Sequence, residues 1–327
     1  MARTTRRGPA HPYFRAPTPP AHPRPTPIPF DEPCCFAELY TGLTAQALDS
    51  ESALILVPKD YNGDDSSDEY WRQQAESSEC FKTCIAYEQI GESHPHLVPY
   101  LQRDAWTGLP VLARPSGPPL TDFLLQHQKE MYPSDSESAP ATISGPYRPL
   151  VLQWALQLLS GLRFVHSHGI IFGDLNPSAC WLNSDLSVAL VGFVSAQFRD
   201  SYDVLHLGST HSGDLFRLSE MQRRVSVKSD LFDWANLVFQ LMTNRTPVGP
   251  ERPLNTVVAQ IARREFPALS HELMGNVVRK CWMQEYENVD NVNHDVEVYL
   301  QEHGYEIEKN RLNEFDPSSI TSIQTRE

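Results

Sequence analysis

Phe172-Gly173-Asp174-Leu175-Asn176-Pro177-Ser178-Ala179, followed by Gly192-Phe193-Val194, is the stretch on which the reading of this chain turns. It lies between the two strongest helical patterns in the sequence. Upstream, Leu150, Val151, Trp154, Ala155, Leu158, Leu159, Leu162 and Val165 recur at spacings of three and four, which predicts a helix with one continuous apolar face ending near His168-Gly169. Downstream, Leu231, Phe232, Trp234, Leu237, Val238, Phe239, Leu241 and Met242 are apolar nearly all round, the pattern of a helix buried at the centre of a lobe.

That frame resembles the protein-kinase family. Kinases write the first segment H-R-D-L-x-x-x-N and the second D-F-G. Asp174 keeps the catalytic aspartate, whereas His, Arg and Asn are replaced by Phe172, Gly173 and Ala179, and Asp-Phe-Gly by Gly192-Phe193-Val194. Gly192 follows Asp174 by eighteen positions, a common kinase separation. Ser229-Asp230-Leu231-Phe232 resembles the start of the family's buried central helix, whose aspartate holds the catalytic-loop backbone. Ser219-Glu220 resembles the end of the A-P-E element, Val278-Arg279-Lys280-Cys281-Trp282 the C-W of a late helix, and His94-Pro95-His96-Leu97-Val98 the H-P-N-I-V after the regulatory helix. Val111-Leu112-Ala113-Arg114-Pro115 falls at the hinge between lobes, with Ala113 the hinge candidate. The resemblance implies an α+β, two-lobed protein-kinase-like fold over about 34–308, with a small strand-rich lobe over 34–112 and a larger helical lobe over 116–308. It also resembles divergent kinase-like proteins of filamentous fungi.

The same resemblance defines what is missing. Mg²⁺ takes hard oxygen ligands beside the phosphates, and the two ligand positions are Ala179 and Gly192, so no metal is expected there. Rescue by Asp185 or Asp200 requires a different loop path. Aligned on Val57-Pro58, the ATP-anchoring lysine is replaced by Leu56; aligned on charge, Lys59 takes that place. Its glutamate partner falls near Thr83 to Ile85, and the nearest acids are Glu79 and Glu88. The glycine-rich loop is reduced to Gly42. Phe172 and Phe193 are expected to stack and fix the lobes. Gly173 removes the arginine that grips a phosphorylated activation loop, and Glu220 finds no arginine partner after Trp282. Asp174 is thus a vestigial base position, and the expected protein is a pseudokinase acting on a protein partner. The alternatives are a weak ATP-dependent Ser/Thr kinase and a nucleotide sensor that holds ATP without Mg²⁺.

Composition bounds the rest. With 27 basic against 41 acidic residues and a formal charge of −14, a general nucleic-acid binder is not expected. No apolar run reaches the length of a membrane span, and no secretory core precedes the domain, so an intracellular protein, cytoplasmic or nuclear, without membrane contact is expected. The six cysteines (Cys34, Cys35, Cys80, Cys84, Cys180, Cys281) lack disulfide spacing and are expected to be reduced. Cys80 and Cys84 with His94 and His96 form a weak zinc pattern lacking a second pair. Residues 1–33 are proline-punctuated, carry Arg3, Arg6, Arg7, Arg15 and Arg24, and read as a disordered tail. Ala53 to Val57 reads as a buried strand, 60–69 as an acidic loop, 70–91 as a helix, 132–145 as an inserted loop, and 309–327 as a flexible tail.

Overall fold

The computed structural model describes residues 35–39, 43–48, 52–58, 67–133, 142–208, 225–247, 259–260, 263–313 and 315–321. Strands β1 (Cys35–Leu39), β2 (Leu43–Ala47), β3 (Ala53–Pro58), β4 (Tyr100–Arg103) and β5 (Pro110–Ala113) form one antiparallel sheet in the order β1-β2-β3-β5-β4. In β3 the run Ala53 to Leu56 is buried throughout rather than alternating, because the sheet is covered by helix α1 (Ser67–Ile90). The strand reaches Pro58, which pairs with Leu43 at its last position, where a missing donor costs least. Residues 94–98 form a lead-in to β4 with no strand of their own. Val98 N–H donates to the Leu190 carbonyl (2.9 Å) and Leu190 N–H to the His96 carbonyl (3.0 Å), tying the sheet to the helical part.

Beyond β5 the chain is mainly helical, with α2 (Leu120–Gln126), α3 (Gln128–Met131), α4 (Arg148–Ser167) and α5 (Val227–Thr243). The period read in 150–165 produces α4, whose Leu150, Trp154, Leu158, Leu162 and Val165 are closed from water. Gly169, at φ +71°, terminates it in a conformation that glycine adopts without strain. Helix α5 opens with a reciprocal cap between Ser226 and Ser229 and ends on Asn244 in the left-handed region. Its Trp234 Nε1–H donates to the Ala155 carbonyl (3.0 Å), so the central helix is bonded as well as packed to α4. Helices α6 (Gly275–Trp282) and α7 (Val289–Glu302) cover α5 and α4. No helix among the described residues is long and apolar enough to cross a membrane.

The expectation of a loose chain after residue 308 is corrected. Strands β10 (Ile307–Glu308) and β11 (Arg311–Leu312) form a hairpin whose turn residues Lys309 and Asn310 both have positive φ. Leu312 is buried, its N–H donating to Gln153 Oε1, and Arg311 pairs with Asp185. Ile320, in helix α8 (Ser318–Thr321), is also buried. Two well-spaced apolar residues dock a segment whose composition is otherwise polar. The acidic stretch 60–69 is likewise not all loop: 67–69 belong to α1, while 60–66 lie outside the described residues.

Candidate functional site

Strands β6 (Cys180–Leu182) and β7 (Val188–Leu190) form a hairpin that places the two segments singled out in the sequence side by side. Val191 N–H donates to the Ala179 carbonyl (3.0 Å), so Ala179 lies opposite the residue that precedes Gly192. The side chains of Ala179 and Gly192 together offer one methyl group and no oxygen. Asn176 is a third candidate ligand in the loop, but its Oδ1 accepts from Ser178 N–H (2.9 Å) and Ser178 Oγ (2.6 Å), capping the turn Pro177–Ala179.

The two rescue carboxylates are engaged elsewhere. Asp185 Oδ1 accepts from Ser187 N–H and Oγ, and its Oδ2 faces Arg311, interactions that hold its carboxyl below the usual range against the opposing effect of burial. Asp200 Oδ1 accepts from Tyr202 N–H and Val204 N–H, while Oδ2 is 2.9 Å from His206 Nε2. Each closes its own turn. No three His, Cys, Asp or Glu side chains cluster to hold a metal ion among the described residues. The Cys–His pattern does not form a metal site either: Cys80 Sγ faces the Leu56 carbonyl, Cys84 Sγ the Gly108 carbonyl, and His96 Nδ1 the Val188 carbonyl.

The loop itself is held from below. Asp230, fully buried at the first turn of α5, accepts Phe172 N–H at Oδ2 and Gly173 N–H at Oδ1, both at 2.8 Å, and His166 Nε2 lies 2.7 Å from Oδ2. Charge-assisted bonds of this kind, made away from water, fix backbone positions strongly. Above them Phe172 and Phe193 meet edge to face, 5.8 Å apart at 71°, instead of in the expected parallel stack. The contact continues. Tyr87 of α1 meets Phe193 edge-on (4.8 Å, 79°), and Tyr100 of β4 stacks on Tyr87 (5.2 Å, 8°). An aromatic column thus runs from the sheet edge through α1 to the Asp230-bound loop. Tyr87 is buried, and burial pushes its phenol well above the usual tyrosine range, an effect partly offset by the Gly192 backbone.

Sequence reading missed Tyr87, Tyr100 and the role of Thr83. Thr83 Oγ1 accepts Phe193 N–H (3.3 Å), placing a hydroxyl where the resemblance puts the regulatory-helix glutamate. The spacing Thr83–Tyr87, one helical turn, was the available signal. Leu56 is fully buried. In the connection after β5, Ala113 N–H donates to Pro99, Arg114 N–H to Ser52 and Gly117 N–H to Leu182, and Pro115 has no N–H to give. A planar base laid along this edge meets few donors. Asp174 is partly buried in the loop. Lys59, Gly42 and Glu220 lie outside the described residues.

No protein-family model matches the chain. It is similar, at 25% identity over 142 residues, to the RGS domain-containing serine/threonine-protein kinase A of Dictyostelium discoideum, covering 42% of this chain and 12% of that protein. It is 21% identical to the serine/threonine/tyrosine-protein kinase HT1 of Arabidopsis thaliana over 172 residues, 50% of this chain and 42% of that one. The proto-oncogene serine/threonine-protein kinase mos of Sus scrofa is 28% identical over 127 residues, 36% of this chain and 35% of that one. The chain spans less than half the length of each of these relatives. With the strand-rich part, the buried central helix and the Asp230-held loop, these likenesses make the folded region a protein-kinase-like domain.

Proposed function

We propose that this domain is a pseudokinase that works by binding a protein partner, as a regulator or scaffold, and not by transferring phosphate. One observation carries the reading: the two positions where the resemblance puts cation ligands hold Ala179 and Gly192, brought to one hairpin, and the side-chain oxygens of Asn176, Asp185 and Asp200 are committed to other bonds. Phosphoryl transfer relies on positioning and charge neutralisation, with little covalent help from the protein. Without a cation the developing charge on the phosphates loses Lewis-acid stabilisation worth several kcal/mol. Asp174 then stands as a base with no electrophile made ready for it. The aromatic column supports the binding role, because its packing holds α1 and the loop together as one fixed surface.

The deciding experiment is transfer of labelled phosphate from ATP, with Mg²⁺ or Mn²⁺, to generic protein substrates and to the chain itself. The expected result is incorporation no greater for the natural chain than for Asp174→Asn. Incorporation that depends on metal and disappears in Asp174→Asn overturns the reading.

A further inference from the structure

After Phe193 the chain passes through the hairpin of β8 (Phe198–Arg199) and β9 (Leu205–His206) and arrives at Gly208. Two successive residues of α1 reach the two ends of this strap. Thr83 Oγ1 accepts Phe193 N–H at its start, and Lys82 Nζ donates to the Leu207 carbonyl (3.3 Å) at its end. Neighbouring helical positions diverge by roughly 100°, so one side chain faces the cleft floor while the next reaches the returning strand. Both are buried, Lys82 with Glu79 as its charged neighbour.

The two ends of the strap are gripped together from the other side. The Ser195 carbonyl is wedged between Gly173 and Gly208: a Cβ on Gly173 would come within 2.3 Å of it, and one on Gly208 within 2.8 Å. Gly173 is also at φ +88°, in the left-handed region. Its amide belongs to the Asp230-held loop, so the strap is anchored to the buried helix through a contact that admits no side chain. An arginine at 173 has no room in this arrangement, and a phosphate on the segment has no guanidinium there to draw it in.

We propose that residues 193–208 are latched to α1 by Lys82 and Thr83, against the Gly173–Gly208 clasp, so that α1 and the strap form one unit in the unphosphorylated protein, with Lys82 as its release point. The latch follows from packing alone and is independent of whether the cleft transfers phosphate: the labelling assay decides that question and amide exchange decides this one.

The test is hydrogen–deuterium exchange on the phosphatase-treated full chain, comparing the natural protein with Lys82→Met and Thr83→Val. The natural protein is expected to protect 196–208 already. Lys82→Met is expected to speed exchange in 196–208 by about tenfold, leaving 275–302 unchanged, and Thr83→Val to do the same at the Phe193 amide. Three results overturn the latch: a natural strap that exchanges like an unstructured peptide, Lys82→Met within about twofold of the natural protein over 196–208 together with Thr83→Val within about twofold at the Phe193 amide, or acceleration spread equally into 275–302. Should Lys82→Met fail to fold, Thr83→Val alone decides, read at the Phe193 amide: about tenfold faster exchange supports the latch and a change within about twofold overturns it.

Discussion

Asp230 and Phe172 are joined by a 2.8 Å bond from a backbone amide to a fully buried carboxylate, and that bond sets the floor of the aromatic column above it. The same carboxylate holds Gly173 N–H and faces His166, so three donors converge on one side chain. Asp230→Ala leaves those donors without an acceptor in a buried site. We expect a loss of about 3–5 kcal/mol in urea unfolding. Asp230→Asn, which keeps one acceptor oxygen, is expected to lose less than Asp230→Ala.

Phe193 sits at the centre of the column, in contact with both Tyr87 and Phe172, and is almost wholly buried. Phe193→Ala removes a large apolar group between α1 and the loop. The expected loss is about 3–5 kcal/mol, with Phe193→Leu costing less because it refills most of the volume. Equilibrium unfolding of the three proteins measures it.

Gly173→Arg restores the side chain that the kinase family carries at this position. It must displace the Ser195 carbonyl and adopt φ +88°, so it is expected to lower the melting temperature, without gain of phosphotransfer. Gly173→Ala is expected to show the same direction of change. A stable, unshifted Gly173→Arg protein contradicts the geometry.

Lys82 gives the stability a signature in alkaline solution. Burial lowers its pKa from 10.5 to about 8, partly opposed by Glu79. Between those two values the unfolded chain binds a proton that the folded one does not. Stability is therefore expected to rise with pH across that window, by up to roughly 3 kcal/mol, and to be lost again as pH falls through 8. Lys82→Met removes this contribution, so the difference in unfolding free energy between the two proteins as a function of pH isolates it from the cysteines and tyrosines that titrate nearby.

Much of this was legible in the residues. The apolar period of 150–165 and the all-round apolar run of 231–242 became α4 and α5 because local pattern and tertiary burial agree there. That Ala179 and Gly192 lie at the open end of one hairpin followed from two short segments separated by a single turn. The column was only half visible. Phe172 and Phe193 stand in recognisable motifs, but Tyr87 and Tyr100 come from a helix and a strand whose relative placement no local pattern encodes. The grip on Ser195 was invisible for a different reason: a glycine in sequence shows that a side chain is absent, and only the fold shows what occupies its place. The docked hairpin at 307–312 was hidden by its polar surroundings, since one leucine facing Gln153 is too little for a periodicity to detect.

Nucleotide affinity with and without a divalent cation, read as the shift in melting temperature, bears most directly on the central claim. A ligand at a hundred times its dissociation constant stabilises a protein by about 2.7 kcal/mol, which is readily seen. We expect the melting temperature with ATP and Mg²⁺ to be no higher than with ATP and a chelator. A shift that appears only with Mg²⁺ or Mn²⁺ and vanishes with the chelator contradicts it, because the cleft would then supply the oxygen ligands that Ala179 and Gly192 lack.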